Sequence, residues 1–171
     1  MESIKRAIRD IPDFPKEGIL FKDITPVLQN GDIFRQTIDA FADQFVDQQF
    51  DVIVGVESRG FIFASALAYK LGTGLVIVRK PGKLPAATYQ ETYDLEYGTD
   101  TLEIHQDAIQ PGQKVLLIDD LLATGGTVKA TADLLKKTDA DVVAIGFLIE
   151  LAFLNGRDKL KDYNVKSLIT Y

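Results

Sequence analysis

Residues 114–127 constrain the fold of this 171-residue chain more than any other stretch. Val115, Leu116, Leu117 and Ile118 form an apolar run without alternation, which predicts a short strand buried on both faces, as in a parallel sheet. Asp119 and Asp120 end that run, and a turn of small residues follows: Ala123, Thr124, Gly125, Gly126 and Thr127. Val128, Ala132 and Leu135 then recur at helical spacing. This order puts the turn at the carboxyl end of a parallel strand, where open α/β sheets take their ligands.

The residue types define what would bind. Gly125 and Gly126 permit a tight turn and close approach of backbone to a ligand. Free N–H groups at the helix start favour an anion. With the hydroxyls of Thr124 and Thr127, residues 123–127 form a cradle for one phosphate. Asp119 and Asp120 would repel a second phosphate and suit hydroxyl groups or a cation instead. A ligand with a phosphate at one end and a vicinal diol at the other, a ribose 5-phosphate, fits both halves. Taken singly, a Gly-Gly turn is usually only a turn and an Asp pair only solvated; their order here favours a site. Neither a Walker A loop nor a dinucleotide-binding G-x-G-x-x-G is present.

Composition narrows the class. At 46% hydrophobic and 26% charged, the chain reads as one soluble domain, residues 1–171, able to bury a core. A net charge of −6 argues against nucleic acid or an anionic membrane as a general partner. The chain has no Cys, so neither disulfides nor thiolate chemistry enter. No apolar h-region follows Met1 and no apolar run nears the length of a membrane span, so a cytoplasmic protein is expected.

Taken in order, Ser3 is a possible cap of a short helix over 3–10, and Pro12 and Pro15 stop regular structure. Residues 18–26 are apolar and bracketed by proline; they serve either as core cover or as a surface, through Phe21, for a planar ligand. Phe34, Ile38, Phe41 and Phe45 predict a helix over 32–48. Residues 51–56 read as a core strand, followed by Glu57, Ser58, Arg59 and Gly60 and a helix over about 61–71. Arg59 is either a surface arginine or an anion ligand beside a helix start. Residues 75–78 read as another buried strand, ending in the basic run Arg79, Lys80 and Lys83. Residues 85–105 suggest a flexible two-stranded flap turning at 98–100. His105, the only histidine, lies beyond that turn and reads as structural. Strands at 142–149 and 165–170, with a short polar turn or helix at 155–161, complete an α/β domain with a mostly parallel sheet.

Residues 115–127 resemble the phosphoribosyl-pyrophosphate motif of the type I phosphoribosyltransferases. Three further stretches are similar to the adenine-using members of that family: residues 12–26, residues 57–61, and residues 79–85 through 95–98. The match covers nearly the whole chain. It implies the type I phosphoribosyltransferase fold, with a hood over residues 1–30 and a flap over 80–106. It also implies transfer of ribose 5-phosphate from 5-phosphoribosyl 1-pyrophosphate (PRPP) to adenine, giving AMP and pyrophosphate. Asp119 and Asp120 would hold the ribose hydroxyls and stabilise an oxocarbenium-like transition state, and residues 123–127 would hold the 5-phosphate. Arg59, Lys80 and Lys83 would hold pyrophosphate, the turn before Arg59 often containing a cis peptide. Leu20, Phe21 and Lys22 would contact the purine, partly through backbone groups, and Glu96 would handle a proton on its ring. Mg²⁺ would be held mainly by pyrophosphate and ribose hydroxyls, with water to Asp119, and with no direct protein ligand. A homodimer is common in the family. Ser58 stands where the adenine-type turn more often has Ala, a mild departure. Two rivals remain open: another base (hypoxanthine, guanine, xanthine or orotate), and a non-catalytic PRPP-binding regulator. The second is disfavoured by the lack of a basic patch.

Overall fold

The computed structural model describes residues 1–94 and 98–171. In chain order its elements are α1 (Glu2–Ala7), β1 (Arg9–Pro12), β2 (Leu20–Asp23), α2 (Thr25–Gln29), α3 (Gly31–Gln44), β3 (Val52–Val56), α4 (Gly60–Leu71) and β4 (Gly74–Val78). Then come β5 (Thr88–Asp94), β6 (Thr99–His105), β7 (Lys114–Leu122), α5 (Gly126–Lys136), β8 (Asp141–Glu150), two 3₁₀ turns (Ala152–Leu154 and Gly156–Leu160) and β9 (Val165–Thr170).

A five-stranded parallel sheet, in the order β4-β3-β7-β8-β9, forms the centre. Alternation along its strands feeds two cores. Ile53, Leu116 and Ile118 point to one face, where Phe41 of α3, Phe45 just beyond it, and Phe63 and Leu67 of α4 cover them. Val52, Val54, Val115 and Leu117 point to the other, under Val128, Leu134 and Leu135 of α5. The chain leaves β3 outward to β4, then returns to β7 on the opposite side of β3. The order therefore reverses between β3 and β7, and a crevice opens at their carboxyl ends. Glycine lets the core close beside β7: a Cβ on Gly146 would lie 2.8 Å from Ile118 Cδ1 and 2.8 Å from Phe45 Cε2.

Several expectations need correction. Helix α1 ends at Ala7, and residues 9–12, expected partly as helix, form β1, which pairs antiparallel with β2. Such a short polar strand has no periodicity to read; its ladder is braced by Arg9–Asp23 and Lys22–Asp10 ion pairs, each at 2.6 Å. Ser3 caps nothing; its hydroxyl donates to Gln36 Oε1 at 2.8 Å. Helix α3 stops at Gln44 and is capped by Asn30, whose Oδ1 accepts from the N–H groups of Asp32 and Ile33. Strand β4, expected to be buried, is the sheet edge, with Leu75 39% exposed. Strand β7 continues through Asp119 and Asp120 to Leu122 rather than ending at the acidic pair. In the flap, Thr99 and Asp100 belong to β6, paired with Asp94 and Tyr93, instead of forming the turn. That flap is also less free-standing than expected: Leu102 and Ile104 of β6 are fully buried in the core beside Val56 and Val78.

Gly146→Ala is expected to destabilise the fold by about 1–3 kcal/mol, since Ile118 and Phe45 must both yield; urea denaturation measures it, and an unchanged midpoint would show that the core accommodates the methyl.

Candidate active site

The crevice between β3 and β7 holds a cavity of about 260 Å³ lined by residues 57–59 and 119–128. Gly125, at φ 78°, occupies the left-handed region just before α5, a conformation that favours glycine. Its close approach to Gly156 also excludes a side chain, since a Cβ would lie 2.5 Å from the Gly156 carbonyl oxygen. The N–H groups of the first turn of α5, from Gly126 and Thr127 on, have no partner within the helix. Residues 123–127 thus put free N–H groups at the strand end, an arrangement suited to an anion.

Asp119 and Asp120 lie at the cavity floor, 8% and 6% exposed. Asp119 Oδ1 accepts from the Asp120 N–H at 2.9 Å. Helix α4 starts against this carboxylate, and only because its first residue is Gly60: a Cβ there would lie 2.7 Å from Asp119 Oδ1. Burial raises the Asp119 pKa well above the ordinary range, and the neighbouring Asp120 charge adds to it. Burial also raises that of Asp120, with Arg59 opposing. Arg59 Nε lies 2.9 Å from Asp120 Oδ2, yet this buried oxygen has no aligned hydrogen bond. The pair therefore retains unused acceptor capacity.

Glu57, Ser58 and Arg59 form the other wall, with further cations gathered on Glu57. The Glu57–Ser58 peptide is cis, and Arg59 follows at the start of α4. Arg79, Lys80 and Lys83 leave β4 and converge on Glu57, a residue to which the sequence reading gave no role. Glu57 accepts from Lys83 Nζ, from the Lys80 N–H at 2.8 Å and from Arg79 Nη2 at 3.4 Å. Lys80 Nζ pairs with Asp100 of β6. Burial alone would raise the Glu57 pKa, but these donors, Lys83 foremost, hold it down at about 2.

The hood and flap complete the surroundings. Phe21 of β2 lies against the guanidinium of Arg59, with Cζ 5.2 Å from its ring centroid, and stacks edge-on with Phe14. Leu20 is half exposed. The Lys22 side chain, by contrast, turns away: it pairs with Asp10 and sits 3.7 Å from the centroid of the Tyr171 ring. Only its backbone is left for a ligand, because alternate residues of a strand face opposite ways. Strand β5 lies against α5, where Tyr93 Oη is 3.1 Å from Thr127 Oγ1 and 3.3 Å from Asp100 Oδ2. Glu96 lies outside the described residues. His105 accepts from the Ala86 N–H through Nε2. Among the described residues, no three carboxylates or histidines gather as a metal-ligand set, and no helix is long and apolar enough to cross a membrane.

Glu57, Asp100, Tyr93 and Gly60 had no role in the sequence reading. Glu57 carried a signal, a carboxylate at a parallel strand end, the same signal that singled out Asp119. Asp100 and Tyr93 carried none, since their partners are distant in the chain.

The phosphoribosyl transferase domain family matches residues 25–170. The adenine phosphoribosyltransferase of Trichlorobacter lovleyi is 56% identical over 171 residues, covering all of both chains. This chain belongs to the phosphoribosyltransferase family. Among solved structures of the family, the adenine phosphoribosyltransferase of Thermoanaerobacter pseudethanolicus superimposes with a TM-score of 0.98 at 55% identity, covering 99% of each chain. That of Saccharomyces cerevisiae, solved with adenine and an imino-altritol bisphosphate, gives 0.94 at 43% identity over 98% of this chain and 97% of its own. The fold is accordingly that of the type I phosphoribosyltransferases.

In this phosphoribosyltransferase, Glu57 links the cations gathered on it to acid stability. Its folded pKa of about 2 lies below the ordinary 4.5, so between those values the unfolded chain binds more protons. The stabilisation is complete above the ordinary value and is lost as pH falls toward 2. Thermal melts between about pH 5 and pH 2 should therefore show a shallower acid decline for Glu57→Gln than for the parent; parallel declines would mean that Glu57 does not carry the effect.

Proposed function

We propose that the chain transfers the 5-phosphoribosyl group of PRPP to adenine, forming AMP and pyrophosphate. The observation that carries this reading is the buried carboxylate pair, Asp119 and Asp120, set directly before an anion cradle at the start of α5. A diol on the pair and a phosphate in the cradle describe a ribose 5-phosphate. The full-length likeness to adenine phosphoribosyltransferases favours adenine among the bases.

In the reaction a ring nitrogen of adenine bonds to the anomeric carbon while the bond from that carbon to pyrophosphate oxygen breaks. The nitrogen's proton passes to a base, for which Glu96 is the expected acceptor. Positive charge developing on the ribose ring is stabilised by Asp119 and Asp120, already in place and desolvated. Residues 123–127 fix the far phosphate, so binding energy there orients the reacting carbon. Arg59, Lys80 and Lys83 hold the leaving pyrophosphate, exchanging Asp120, Asp100 and Glu57 for its oxygens. The buried, only partly compensated carboxylates of Asp119 and Asp120 suit an adjoining divalent cation. Mg²⁺ would arrive with the pyrophosphate, held mainly by it and by ribose hydroxyls, with Asp119 reached through water, and would neutralise the leaving group. The β1–β2 hood presents Leu20, Phe21 and the Lys22 backbone to the purine, and the flap excludes water. The reading carries a cytoplasmic homodimer, and exposed Ile62 and Tyr69 of α4 and Leu75 of β4 supply apolar surface for pairing.

The protein, PRPP and Mg²⁺ are to be mixed with adenine, hypoxanthine, guanine, xanthine or orotate in turn. Pyrophosphate release with adenine alone is expected; release with another base only would reassign the substrate, and none with any base would refute the activity. Asp120→Ala should lower kcat by about 10²-fold or more with an unchanged circular dichroism spectrum; normal turnover would remove Asp120 from the mechanism. Gly126→Val should abolish PRPP binding without unfolding, because a Cβ there meets Tyr93 Cδ2 only at 3.6 Å, an ordinary contact. Undiminished PRPP affinity in calorimetry would count against the cradle.

A further inference from the structure

The cradle has to be held from behind, because its N–H groups must stay free to meet the phosphate. What stands behind it is the second 3₁₀ turn, Gly156–Leu160. Gly125 and Gly156 meet backbone to backbone, and each needs the other to be glycine. A Cβ on Gly125 would lie 2.5 Å from Gly156 O. One on Gly156 would collide with the Ala123 carbonyl oxygen and lie 2.9 Å from Leu122 Cδ1 and 3.1 Å from Gly125 N. The cradle's backbone and the turn therefore pack too closely for a side chain at either position.

Gly156 is fixed in its turn by its neighbour. Arg157 grips buried Glu150 with a two-pronged fork, Nε to Oε1 at 2.6 Å and Nη2 to Oε2 at 2.7 Å. It also donates to the Val165 carbonyl at 2.9 Å and the Ser167 hydroxyl at 3.4 Å. Glu150 ends β8 and Val165 begins β9, so one guanidinium ties the turn to both strands. Asn155, at φ 53°, swings the chain into place before Gly156.

We infer that Gly156, locked by the Arg157–Glu150 fork, is a positioning residue that sets the affinity of the cradle for the 5-phosphate of the donor and of the nucleotide product. Neither residue touches substrate; they act through the backbone of residues 123–125. The inference rests on the proposed activity. It predicts a selective defect: the phosphate end weakens while base recognition, made by the distant hood, does not.

Gly156→Ala should raise KM for PRPP by about tenfold or more, leave KM for adenine unchanged, and weaken AMP binding in calorimetry by a similar factor. Arg157→Lys, a milder change that answers the question should the alanine variant fail to fold, should show the same selectivity at smaller amplitude, because an ammonium cannot span both Glu150 oxygens. Proportional rises in both KM values, or no change in AMP affinity in a folded variant, would overturn the inference. A parent protein that neither binds AMP nor releases pyrophosphate would count against the proposed activity itself.

Discussion

Two neighbouring carboxylates buried at the end of a strand are the feature around which the rest is arranged. Desolvation disfavours charge on both Asp119 and Asp120, and their closeness adds to the penalty for Asp119. The surroundings offset this only in part, through the Asp120 N–H and the Arg59 guanidinium. Such a site gains from a ligand that brings hydroxyl donors or positive charge. Its location follows from topology: β7 lies inside the sheet, and the reversal of order beside it leaves its carboxyl end uncovered.

The cations proposed to meet pyrophosphate do not wait in isolation. Arg59, Lys80 and Lys83 rest on Asp120, Asp100 and Glu57. These internal partners keep like charges from repelling one another across the crevice. An incoming polyanion therefore exchanges one set of ion pairs for another, and its net gain comes from geometry and multiplicity more than from bare attraction.

Much of this was readable from local pattern. Residues 115–118, the Gly/Thr turn and the spacing of Val128, Ala132 and Leu135 belong to one contiguous stretch, and strand, turn and helix follow from it. The core strand at 52–56 and the helix after Gly60 were legible for the same reason. What escaped was set by contacts between distant segments. Strand β1 is polar and exists through its ladder to β2. The turn of Lys22 toward Asp10 and Tyr171 is set by those two residues, far from it in the chain. Glu57 acquires its place only when β4 brings Arg79, Lys80 and Lys83 beside it. The extension of β7 through the aspartates is set by pairing to β8, where Asp119 lies opposite Phe147 and Leu122 opposite Glu150.

The flap has one strand in each world. Strand β5 alternates half-buried and exposed residues along the surface of α5, while β6 sends Leu102 and Ile104 into the protein interior. The β5–β6 hairpin is consequently not a removable module. Excising the whole hairpin would open a hole in the core where Leu102 and Ile104 are buried, and would also remove Tyr89 and Tyr93 of β5, which pack against the same core. Chimeras between relatives should thus carry both strands of the hairpin together with the body that they help to fill.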